Sequence, residues 1–78
     1  MIDAELKRQV QWAARAHFEE IANDCIEAKL SAGDCLEPLL WQMEHAEHSG
    51  VKELCRNRFH PDRKELLEIV RAELGRFF

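Results

Sequence analysis

Four residues of the types that bind zinc lie near one another in the second half of the chain. They are His45, His48, Cys55 and His60. Structural Zn²⁺ takes four such ligands in a tetrahedron, and His45 and His48 are one helical turn apart, so both could face one ion. The spacing fits none of the common zinc-finger patterns, and Cys55 falls on an apolar stripe where a free cysteine packs as a small hydrophobe. We therefore expect no bound metal.

The residues that could support catalysis do not form a catalytic arrangement. A reactive thiolate needs a histidine or a cation beside it and access to solvent, whereas Cys25, Cys35 and Cys55 fall at or near inward positions. No pair of acidic residues is placed across a cleft by its spacing. The glycines number 3 and fall at expected turns, so no phosphate-binding loop is present. The sequence predicts a protein that is not an enzyme and holds no cofactor.

A basic segment permits a helix-turn-helix alignment over residues 42–61. Lys52, Arg56 and Arg58 would lie on its recognition helix, which enters the major groove of DNA. However, Arg56 stands where the motif packs an apolar residue, and residues 31–50 contain acidic side chains but no lysine or arginine. Such an acidic stretch repels phosphate, whose neutralisation supplies most of the affinity for DNA. A helix-turn-helix nucleic-acid-binding regulator is therefore the alternative function, and nucleic acid is not the expected partner.

Four helices are predicted to position these side chains. Good helix formers dominate the chain, and valine and isoleucine never alternate with polar residues, so no strand is expected. Asp3 is expected to cap a first helix to about residue 30, about 40 Å long and longer than a globule of this size. Breaks at residues 31–34, 49–50 and 60–62 separate three shorter helices, with Asp34 and Asp62 as N-caps. The predicted fold is all-α: a small bundle of one long N-terminal helix and three shorter helices, in a single domain over residues 1–78.

The cellular compartment is predicted from the same composition. The first eight residues are charged and lack the apolar block of a signal peptide. No apolar run approaches the roughly 20 residues that span a bilayer. The cysteines number 3, an odd count that disfavours a disulfide framework. We expect a cytoplasmic protein with no membrane partner.

The large aromatic side chains are more numerous than a small core needs. They are Trp12, Phe18, Trp41, Phe59, Phe77 and Phe78. Tryptophan and phenylalanine at a surface are typical anchors of protein interfaces, although these rings could instead complete the core. The sequence predicts an interface in which six residues contact a partner: Val10, Trp12, Phe18, Trp41, Phe77 and Phe78.

These features predict a small non-enzymatic protein–protein interaction module, acting as an adaptor or inhibitor of a larger macromolecule. Comparable small acidic proteins are common among bacterial and phage accessory proteins, which is an analogy only. A homodimer is expected, because the apolar stripe of the first helix is longer than three short helices can cover. The stripe consists of Leu6, Val10, Ala14, Phe18, Ile21 and Cys25. The alternative is that the later helices fold back over the stripe and leave a monomer with another apolar face for a different protein.

Overall fold

The structure, a computed structural model that describes all residues from Met1 to Phe78, consists of four α-helices and no strand. The helices are α1 (Ala4–Glu27), α2 (Ala32–Met43), α3 (Ser49–Arg56) and α4 (Arg63–Leu74). They contain 72% of the residues, and the predicted bundle of one long helix and three shorter ones is confirmed. None of the four helices is both long and apolar enough to cross a membrane.

Local side-chain and backbone chemistry determines both ends of α1. The carboxylate of Asp3 accepts a hydrogen bond from the Leu6 N–H at 2.7 Å, which confirms the expected N-cap. At the other end, the Leu30 N–H donates to the Cys25 carbonyl at 3.0 Å and closes a reversing turn. That turn requires a left-handed residue, and Lys29 fills the position with φ 55°. Gly33, which could adopt this conformation more readily, lies inside α2.

The start of α2 lies earlier than predicted. Ser31 is the N-cap: its Oγ accepts from the Asp34 N–H at 3.3 Å, while Asp34 Oδ2 accepts from the Ser31 N–H at 3.4 Å. This reciprocal capping box makes Asp34 the third residue of the helix rather than its cap. Pro38 consequently lies in the helix interior, where it donates no hydrogen bond to the preceding turn. The helix ends at Met43 rather than near His48.

The backbone carbonyl groups at the end of α3 accept hydrogen bonds from a side chain of α4. Arg63 Nη1 donates to the carbonyl oxygens of Leu54 at 3.1 Å and Cys55 at 2.9 Å. A cation at a helix C-terminus also interacts favourably with the helix dipole. Asn57 turns the chain into extended backbone. Phe59 therefore lies in the connecting loop, 95% exposed, and does not complete the core.

Two ion pairs anchor α4 to the N-terminal part of the chain. Asp62 makes no capping hydrogen bond, contrary to expectation, and its carboxylate lies 2.7 Å from the Met1 α-amino group instead. Glu73 is buried, and its Oε2 accepts from Arg15 Nε at 2.8 Å. Arg76 Nε lies 3.9 Å from the same oxygen. A buried carboxylate needs such partners, so this contact fixes the position of α4 on α1.

The long helix spans the whole molecule instead of projecting from it. The 24 residues of α1 span about 34 Å from the first Cα to the last. The backbone measures 34 × 21 × 20 Å, so α1 forms its long axis. The other three helices all pack against α1. One cluster of 20 buried apolar residues fills the space between them. Its largest fully buried members are Leu39, Met43, Leu54, Leu66 and Leu74.

The apolar stripe of α1 is covered by the chain itself. Val10 is 0% exposed and Phe18 is 2% exposed. The Phe18 ring centroid lies 4.7 Å from that of Phe77 and 5.9 Å from that of Phe78. The expectation that Val10 and Phe18 form an interface is therefore wrong, and the homodimer loses the contact surface on which it was predicted. Phe77 and Phe78 pack on Phe18 with one side and remain about half exposed.

Replacing Lys29 by glycine is expected to stabilise the protein by about 1 kcal/mol, because glycine adopts left-handed backbone without steric cost. The Lys29 side chain is exposed, so its removal sacrifices no packing. Urea unfolding followed by circular dichroism measures the change. Alanine at the same position is the control and should bring no stabilisation. Equal stability of the glycine and alanine variants would contradict the assigned conformation.

Candidate functional site

The structure does not assemble the four candidate zinc ligands into one site. Cys55 is 1% exposed within the core. Nδ1 of His48 and Nδ1 of His60 each accept the backbone N–H two residues later, at 3.2 and 3.0 Å. His45 is exposed in the connection between α2 and α3. No group of three or more histidine, cysteine or acidic side chains is arranged to hold a metal ion.

The cysteines are buried, and burial favours the protonated form of the Cys35 and Cys55 thiols. Cys25, Cys35 and Cys55 are all buried and free. Burial raises the pKa of Cys35 to about 11, and a hydrogen bond with Cys25 acts in the same direction. Burial likewise raises the pKa of Cys55 to about 11. Because the thiolate is the nucleophilic form, this geometry does not support a reactive cysteine at neutral pH.

The protein is expected to lose stability as the pH rises from about 9 to about 11. The ordinary thiol pKa is 9.0, and that of folded Cys55 is about 11. Between those values the folded state binds more protons than the unfolded state, so the free energy of unfolding falls with pH. Urea unfolding at a series of pH values measures the slope. Cys55→Ala should reduce the slope, with Cys35 supplying the remainder, and an unchanged slope in this variant would contradict the assignment.

Several large apolar side chains remain on the surface although the core is complete. Trp12 and Trp41 are each 66% exposed, and Ile26 is 65% exposed. The core leaves no buried polar side-chain atom without a hydrogen-bond partner. Trp12 and Trp41 were predicted as interface residues and are available to a partner. Phe59 was not predicted as an interface residue. The residue that could have indicated its exposure is Asn57, which ends α3 two residues earlier.

Trp12 borders an open groove of about 540 Å³ between α1 and the connection from α2 to α3. Its polar lining includes His17, Glu20, His45, Glu47 and His48, and it contains no lysine or arginine. On its other side, Trp12 borders a second depression that includes Arg8. Arg8 is already paired with Glu5, at 3.0 Å. We call the first of these depressions the Trp12 groove.

One face of α1 and the segment that ends at the N-cap of α3 form the walls of the Trp12 groove. Gln9, Ala13, Ala16 and Glu20 recur at helical spacing and therefore share one face of α1. The two alanines leave space beside the helix, into which the α2–α3 connection does not fully pack. His48 is held in place as the N-cap of α3.

The charges of the molecule are divided unevenly along the chain. Between residues 16 and 50 the only cationic side chain is Lys29. The same segment carries Glu19, Glu20, Asp24, Glu27, Asp34, Glu37, Glu44 and Glu47. The whole chain has a net charge of −4, so the remaining residues are positive on balance. The Trp12 groove lies against the acidic segment.

The helix-turn-helix alignment does not match the observed helices. Over residues 42–61 only the last two residues of α2 remain helical before the loop that contains Ala46, and Gly50 lies in the first turn of α3. Helix α3 has only 8 residues, so Arg58 falls outside it. Arg56 and Arg58 are exposed, and Lys52 is partly buried. The expected register of the motif is therefore wrong, although the exposed cations remain in this part of the chain.

Comparison with protein-family models, curated proteins and solved structures finds no match for this chain. The function is therefore inferred from the residues and surfaces described above.

Proposed function

We propose that this protein is a non-enzymatic protein–protein interaction module that acts as an adaptor or inhibitor by occupying a surface of a larger macromolecule. The observation that carries the proposal is the exposure of Trp12 and Trp41, each 66%, on a chain whose core is complete without them. Tryptophan combines a large apolar area with one hydrogen-bond donor, and it is enriched among the residues that dominate binding energy at interfaces.

The distribution of charge also supports recognition of another macromolecule. The Trp12 groove is lined by Glu20 and Glu47 and by no lysine or arginine, and Trp41 lies within the acidic stretch of the sequence between residues 16 and 50. Charge asymmetry of this kind accelerates association with a basic surface and disfavours partners of the wrong sign. An apolar anchor within a charged rim is the usual composition of an interface.

The cysteines and the Trp12 groove offer less support for catalysis than for binding. The thiols of Cys35 and Cys55 are protonated at neutral pH, because burial raises their pKa. The Trp12 groove, which is lined by the histidines, is open to solvent, and an open groove does not exclude water from a reacting group. Binding is the activity that these surfaces favour.

Affinity capture from the native host tests the proposal. The wild-type protein should retain one protein in near-equimolar amount, and the double variant Trp12→Ser, Trp41→Ser should lose it while keeping the same helical circular dichroism. Phe59→Ser is a comparator, because it removes an exposed aromatic ring from the more basic part of the chain.

Nuclease treatment separates this proposal from the alternative of nucleic-acid binding. Retention of the partner after nuclease treatment supports a protein interface. Loss of all retained material after nuclease treatment, together with loss in an Arg56→Ala, Arg58→Ala variant, would favour the nucleic-acid binder. Equal retention by the wild type and the double tryptophan variant would overturn the proposed interface.

A further inference from the structure

We propose that the Trp12 groove binds a basic segment of the partner protein, with an arginine side chain stacked on Trp12 and paired with Glu47, and with Glu20 adding negative charge to the groove. This inference rests on the interaction function proposed above and specifies the chemistry of the partner. The occupant is an extended segment rich in arginine or lysine, and charge complementarity identifies it.

The groove carries carboxylates that are available to a cation. Glu47 forms no salt bridge within the chain, and Glu20 contacts only His17, at 3.4 Å. No lysine or arginine lines the groove. The adjacent segment between residues 16 and 50 adds further negative charge with Lys29 as its only cation. A basic segment is therefore attracted to this groove before it makes contact.

The Trp12 ring distinguishes this groove from the rest of the acidic surface. Exposed ion pairs alone contribute little to binding. A cation over the face of an indole gains a further attraction, and arginine stacks on indole better than lysine because its guanidinium is planar and weakly hydrated. The ring is 66% exposed, so its surface is accessible to such a cation.

The size and floor of the groove suit a long cationic side chain. Its volume of about 540 Å³ lies within the range of sites that hold small ligands. Ala13 and Ala16 contribute apolar lining, against which the aliphatic stem of arginine can pack while its charged end reaches Glu47. A segment with several basic residues would use the groove for one of them and the surrounding acidic surface for the others.

The cation nearest to the groove is engaged elsewhere. Arg8 lines the neighbouring depression together with Trp12 and Glu47, and it is paired with Glu5 at 3.0 Å.

A fluorescein-labelled peptide of alternating arginine and alanine, twelve residues long, is the probe. Fluorescence anisotropy should give saturable one-to-one binding to the wild-type protein. Trp12→Ser and Glu47→Gln should each weaken binding about fivefold or more. The matched controls Trp41→Ser and Glu37→Gln make the same changes outside the groove. They should weaken peptide binding less than about twofold. A glutamate-for-arginine peptide should not bind.

Two outcomes would overturn the inference. If the groove variants and their controls weaken peptide binding equally, the peptide is attracted to the acidic surface as a whole and does not occupy a site. Concentration-dependent self-association in sedimentation equilibrium that Glu47→Gln abolishes would identify a second copy of this chain as the occupant. Neither result bears on whether affinity capture depends on Trp41, which lies outside the groove, so failure of the inference is distinguishable from failure of the proposed function.

Discussion

Replacing Phe18 by alanine is expected to lower the free energy of unfolding by about 3–5 kcal/mol, whereas Trp12→Ala should change it by about 0.5 kcal/mol or less. Both substitutions lie on α1, and each removes a large ring. Phe18 is 2% exposed and packs against the rings of Phe77 and Phe78, whereas Trp12 is 66% exposed. Only the first substitution leaves a cavity in the core.

Urea unfolding followed by far-ultraviolet circular dichroism measures both changes. A chain of this length has a total stability of about 4–12 kcal/mol, so Phe18→Ala should unfold at much lower urea concentration than the wild type. Comparable losses in the two variants would show that Trp12 is part of the fold. In that case, its availability to a partner would be refuted.

Trp12→Ser is expected to weaken the binding of the purified partner about 30-fold or more, as the loss of an anchor residue does at an interface. The change should appear mainly in a faster dissociation rate, because interface substitutions act chiefly on that rate. Surface plasmon resonance measures both rate constants. Arg71→Ser changes an exposed side chain on α4 and serves as the control. Weakening of less than about threefold would contradict an anchoring role for Trp12.

The fold was predictable because helical information is local. The apolar spacing of α1 and the hydrogen bond of Asp3 lie within a few residues of one another. The start of α2 shows where local information becomes ambiguous, since Ser31 with Asp34 and Asp34 with Glu37 both have the capping-box spacing. The observed hydrogen bonds of Ser31 decide between them.

The burial of the α1 stripe was not predictable from its pattern. The spacing of Val10 and Phe18 shows that the stripe must be covered, but it does not show by what. The contact between Arg15 and Glu73 joins residues 58 positions apart. Such contacts bring α4 and the rings of Phe77 and Phe78 onto α1, where a second chain had been expected.

The candidate site was predictable only in part. Trp12 lies off the apolar stripe of α1, which is why its exposure could be expected from sequence. The Trp12 groove also requires the segment with His45 and Glu47 to lie beside α1. That placement depends on α2 ending at Met43, several residues before the end that the sequence suggested.

Photo-cross-linking in the native host tests the central claim most directly. A benzoylphenylalanine residue is placed at position 12, at position 41, or at position 68, which is an exposed control on α4. The proposed interaction function predicts that positions 12 and 41 form a cross-link to the same protein and that the control position forms none. Cross-links of equal yield at all three positions, or none at positions 12 and 41, would contradict the claim that the exposed tryptophans lie in a protein interface.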